Sequence, residues 1–137
     1  MDSEFADLLP LFVEEARDRI ERLATSAPRV EADAQAMVEA KRELHTVKGA
    51  SRMLQLGSIA ELCHAAEEVL QEARPGMARL LTRVADRLSA MIDVVSQGGE
   101  PEGDRELLEV LAGRAPGATI AGPAVAAEPA AAPPRAG

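Results

Sequence analysis

The sequence predicts an all-α protein: an up-and-down antiparallel four-helix bundle with a short fifth helix and a disordered tail. Three observations carry this. Ala, Leu, Glu and Arg dominate, Phe5 and Phe12 are the only aromatics, and the β-branched and aromatic residues that favour strands are scarce. Four long stretches repeat apolar residues at steps of three and four, the period of one helix face. The connections around the third stretch, Gln55-Leu56-Gly57 and Arg74-Pro75-Gly76, are short enough to force neighbouring helices antiparallel.

The first helix takes Ser3 or Asp2 as N-cap, with Glu4 and Asp7 at the positive end of its dipole. Pro10 either kinks it or stands near the start of a helix that follows a short leading turn. Leu11, Phe12, Ala16, Ile20 and Leu23 form its apolar face, and Thr25-Ser26-Ala27-Pro28 ends it. The second helix runs from Glu31 or Asp33 to Leu54, with Met37, Ala40, Leu44, Val47, Ser51 and Leu54 as its seam. Ser58 and Glu61 read as a capping box that opens the third helix, whose seam is Ile59, Leu62, Ala66, Val69 and Ala73. The fourth spans Met77 to Gln97 and turns Leu80, Leu81, Val84, Leu88, Met91, Ile92 and Val95 inward. Gly98-Gly99 stops it, and Asp104 caps a short fifth helix to Ala112 built on Leu107, Leu108 and Leu111.

Residues 1–112 thus read as one domain. Residues 113–137 are mostly Ala, Pro and Gly and read as a flexible linker or tail. The whole chain carries −8 and the tail, with Arg114, Glu128 and Arg135, carries +1, so −9 falls on the helical part. No basic field is available to neutralise phosphates, which argues against nucleic-acid binding. The acidic start lacks the layout of a signal peptide, no apolar run is long enough to span a bilayer, and Cys63, being single, closes no intramolecular disulfide. These features point to a soluble cytoplasmic protein, and the domain is expected to be monomeric.

Chemistry concentrates in Glu43-Leu44-His45-Thr46-Val47-Lys48-Gly49-Ala50-Ser51. With the seam of the second helix centred near Leu44, His45 flanks it with Lys41, Lys48 and Arg52, its ring partly open to water. Gly49, one turn on, costs about 1 kcal/mol relative to Ala inside a helix. In return it clears space for a large group to approach the imidazole.

His45 lies nine residues before Leu54 and Glu67 nine residues after Ser58. At ~1.5 Å per residue both sit roughly 13–14 Å from the turn, level across the hairpin. By the same count Lys48 is level with His64, so the four side chains are expected to share one polar patch. A carboxylate that accepts from one ring nitrogen fixes the tautomer and leaves the other nitrogen nucleophilic. These considerations cast His45 as a nucleophile for a phosphoryl group and Glu67 as its orienter. Lys48 would offset the incoming negative charge, and His64 would be a supporting polar group.

His45-Thr46-Val47-Lys48-Gly49 resembles the His-x-x-Lys-Gly signature of histidine phosphotransfer (HPt) domains. Cys63-His64-Ala65-Ala66-Glu67 is similar to the second motif of the N-terminal phosphotransfer domain of CheA-type chemotaxis kinases. The resemblance covers roughly residues 3 to 112. It implies a phosphorelay domain of a two-component system: a CheA-type kinase domain, in the same chain or a dimer partner, would phosphorylate His45. The group would then pass to an aspartate of a response regulator receiver domain, in chemotaxis or motility control. The chain carries no Gly-rich phosphate loop, so it is not a kinase by itself, and no cofactor is implied. Gln55 stands where many members have glycine, which suggests a turn built differently around Gly57. Arg52 replaces a small residue of some members.

Simpler readings compete. A lone helical histidine usually has no chemistry, and Lys41 and Arg52 read as solvated face. Cys63 falls on the apolar arc and reads as a small core residue. A metal site from His45, His64, Glu67 and Cys63 lacks the second His-x-x-Glu copy that di-iron bundles use. The rival from another class is a non-catalytic helical adaptor that binds a partner protein.

Overall fold

The computed structural model describes residues 3–113, with side chains from residue 7 onward; the tail expected beyond residue 113 lies outside the described residues. Helix α1 (Ser3–Ser26) continues through Pro10, so the leading turn is not a separate element. Phe12, Ala16, Ile20 and Leu23 are buried, as their spacing requires. Leu11 is not: it is 63% exposed. With Leu8, Phe12 and Met53 it lines an apolar groove between α1 and the second helix instead of entering the core.

A single 3₁₀ turn (Ala27–Arg29) leads to α2 (Ala34–Met53). Asp33 is its N-cap, in extended backbone, with a carboxylate oxygen that accepts the Gln35 N–H at 2.9 Å. Ala40, Leu44, Val47, Ser51 and Leu54 are buried along its seam. Glu43 is buried too, which hydrophobic periodicity does not foresee. The Arg19 guanidinium explains it, donating to Glu43 at 3.1 Å and to Glu15 at 2.7 Å. Those bonds, Glu43's first, push the Arg19 pKa above its ordinary value, so the cation stays paired with the buried acid.

The turn into α3 (Gly57–Glu72) is built on a non-glycine residue in the left-handed region. Gln55 has φ 62°, its N–H bonds Arg52 O at 3.1 Å, and the Leu56 N–H bonds Ser51 O at 2.8 Å. This is a Schellman closure of α2, normally assigned to glycine. The sequence suggested a turn organised around Gly57; that residue is instead the first of α3, and Gln55 takes the strained conformation. The capping box also fails: α3 shows no side-chain cap, and Ser58 Oγ donates to Pro101 O at 2.9 Å. Reaching the segment after the fourth helix is open to Ser58 because α3 starts two residues earlier than the box requires. Ile59, Leu62, Ala66 and Val69 are buried, whereas Ala73 is a left-handed, exposed C-cap (φ 53°).

Helix α4 (Met77–Ser96) buries Leu81, Val84, Leu88, Met91, Ile92 and Val95, with Leu80 half-buried. Its N-cap, Gly76, has no side chain to offer, and Glu31 from the α1–α2 connection accepts the Ala78 N–H at 2.8 Å. Helix α1 packs beside α2 and α4, α2 beside α3, and α3 beside α4, which closes the antiparallel four-helix bundle. Contacts separate after Gly103. Beyond that point α5 (Arg105–Leu111) is capped by Asp104, which accepts the Leu107 N–H at 3.0 Å.

Two substitutions test this account by chemical denaturation. Gln55→Gly relieves the left-handed strain and raises stability by up to about 1 kcal/mol. Leu88→Ala, at a fully buried position, lowers it by about 2–5 kcal/mol.

Candidate functional site

The expected polar patch forms around one carboxylate. Glu67 of α3, with 18% of its side chain exposed, places Oε2 at 3.3 Å from His45 Nδ1 and Oε1 at 2.5 Å from Lys48 Nζ. The two α2 residues converge on it because they are one turn apart and level with Glu67 across the hairpin. Lys48 is 12% exposed, its stem laid along the bundle and its charge paired. The His45 ring, by contrast, is 75% open. Its Nδ1 faces an acceptor, so the neutral ring carries its proton there and Nε2 is the unprotonated nitrogen.

The structure does not bring His64 into this group. Its Nε2 lies 3.4 Å from Glu68 Oε2, one turn along the same helix, and both side chains are more than half exposed. Both oxygens of Glu67 face α2, and the His64 imidazole lies beside its i+4 neighbour instead. Three of the four residues meet; the fourth stands beside them.

Gly49 follows His45 by one turn, and a Cβ built there meets nothing within 4 Å. Packing within the chain therefore does not demand glycine at this position. The space it leaves opens to solvent one turn from the exposed His45 ring.

Beneath the site Cys63 is fully buried. Burial pushes its thiol up to about 12, with the Glu67 charge adding to the rise and Lys48 opposing it. A thiol held protonated in the core is a packing residue and a poor metal ligand. Among the described residues no group of three or more His, Cys, Asp and Glu side chains is placed to hold a metal ion. No described helix is long and apolar enough to cross a membrane.

A four-helix bundle that presents an exposed histidine, oriented by a carboxylate from the next helix, is the architecture of a histidine phosphotransfer module. The sequence matches the profile of the Hpt domain over residues 7–112, and the chain belongs to that family. It is 40% identical over 105 residues to the gliding motility regulatory protein of Myxococcus xanthus, a match covering 73% of this chain and 13% of that protein. It is 30% identical over 108 residues to the chemotaxis protein CheA of Listeria monocytogenes, covering 72% and 18%. The CheA of Borreliella burgdorferi is 28% identical over 100 residues, covering 71% and 12%. The chain thus spans less than a fifth of the length of these relatives, and membership of the family carries a phosphotransfer role in signalling.

The burial of Cys63 has a direct readout. In the folded protein the thiol resists a water-soluble disulfide reagent at pH 8 and becomes reactive only on unfolding. Its pKa is raised from 9.0 to about 12, so its contribution to stability is complete below pH 9 and is lost progressively between pH 9 and 12. A Cys63→Ala variant therefore loses less stability over that interval than the parent protein, as measured by denaturant midpoints.

Proposed function

We propose that His45 is the phosphoacceptor and phosphodonor of a relay between a CheA-type kinase domain and the receiver domain of a response regulator. The single observation that carries this is the exposed imidazole with Nδ1 bound to Glu67 and Nε2 turned to solvent. The Nε2 lone pair attacks the γ-phosphorus of ATP held by a separate kinase domain. The Nε2–P bond forms as the bond to the departing ADP oxygen breaks. The ring becomes cationic, and Glu67, which accepts from Nδ1–H, stabilises that charge. Lys48 keeps Glu67 in place and presents positive charge to the phosphoryl oxygens. In the second step a receiver aspartate oxygen attacks phosphorus, the N–P bond breaks, and neutral His45 returns.

His64 pairs with Glu68 outside the trio, and the gap at Gly49 admits the reacting partner. The matched portion of the longer CheA and gliding-motility relatives favours a domain of a sensor kinase that governs chemotaxis or motility, acting in the cytoplasm as a monomeric module.

Incubation with a CheA-type kinase domain and ATP places acid-labile, base-stable phosphate on the chain. His45→Gln abolishes it, and label retained by that variant would sink the assignment in favour of a non-catalytic adaptor. Glu67→Gln slows phosphorylation roughly ten- to a hundredfold, the rate equivalent of one charge-assisted hydrogen bond, with the helical circular dichroism unchanged.

A further inference from the structure

We propose that Arg52 is a phosphoryl-binding residue: its guanidinium reaches back over Gly49 and holds the phosphoryl group carried on His45. This rests on the phosphoacceptor reading of His45. The first argument is register. Seven residues are almost two turns, so Arg52 stands only about 20° around α2 from His45 and about 10 Å farther along the axis. Helical side chains lean toward the N-terminus of their helix, which tilts Arg52 back along its own face toward the imidazole.

The second argument is the path between them. The residue between the two on this face is Gly49, and the position of its absent Cβ has no atom within 4 Å. Any larger side chain would stand in the way. The third is availability. Lys48, three residues after His45, is already engaged by Glu67. Arg52 is exposed, and among the described residues its guanidinium forms no hydrogen bond or ion pair. Lys41, one turn before His45, is also unpaired, but the same lean carries its side chain away from the ring.

The chemistry fits the residue type. A phosphoryl dianion placed on a chain of net charge −8 gains from a local cation. Guanidinium is always charged and offers two parallel N–H donors to two phosphoryl oxygens, which an ammonium does not. Arg52 also lies in the last turn of α2, where a cation favours the helix dipole. That structural role leaves the ionisation of a group on His45 unaffected, so the two are separable.

The full chain, phosphorylated with phosphoramidate, is titrated by phosphorus NMR through the resonance that His45→Gln abolishes. Lys41, Arg42, Lys48, His64, Glu67 and Glu68 surround that group in every variant, so differences report on Arg52. A bound guanidinium favours the dianion and lowers the titration midpoint. Arg52→Gln therefore raises it by about half a unit, the size of one partly exposed ion pair, and Arg52→Lys restores part of the shift. Arg52→Met keeps the stem and shows the same rise, with folding of each variant checked by thermal melting. A midpoint identical in the parent and in these variants overturns the role of Arg52 and leaves His45 intact. A parent chain with no His45-dependent resonance overturns both.

Discussion

The Glu67 carboxylate joins the two halves of the site, one oxygen toward His45 and the other toward Lys48, and the α2–α3 hairpin must hold it there. The hold comes from below. Leu44 and Val47 on α2 pack in the core with Leu62, Cys63 and Ala66 on α3, all of them buried. That apolar layer fixes the height and rotation of both helices, and the site inherits its geometry from it. The same layer keeps Glu67 and Lys48 largely out of water, so removing either partner would leave the other as a poorly solvated charge. The exposed member of the trio is the imidazole.

Helix ends in this protein show how little one residue type decides. Helices α2 and α4 close with the same motif. In α4 the left-handed position is Gly98 (φ 85°), with N–H groups of Gly98 and Gly99 bonded to Val95 and Val94 carbonyls. In α2 the position belongs to Gln55. The buried Leu56 that follows it anchors the turn, so the local strain is carried by tertiary packing. Capping is likewise borrowed: Glu31 serves α4 from another connection, and Ser58 serves a loop instead of its own helix.

Much of this was legible in the sequence. The seams of α2, α3 and α4 follow from spacing alone, and counting along the hairpin places His45 level with Glu67. What spacing could not supply was competition. Leu11 fits the apolar period of α1 yet faces a groove, because Phe12 and Ala16 already fill the layer behind it. Glu43 breaks the pattern of α2 and is buried only because Arg19 arrives from α1, a pairing between residues 24 positions apart. His64 pairs with Glu68 on its own helix, while Glu67 turns both oxygens to α2. Pairwise periodicity sees faces; it does not see which partner is already taken.

The open side at Gly49 has a broader consequence. The imidazole has a floor in the bundle and one wall in Glu67, and the opposite wall is missing. An incomplete cleft of this kind cannot choose its own reaction. Under the relay proposed above, whatever docks supplies the remaining wall and, with it, the direction of transfer. On that reading, successive encounters with different macromolecules require no rearrangement of the bundle.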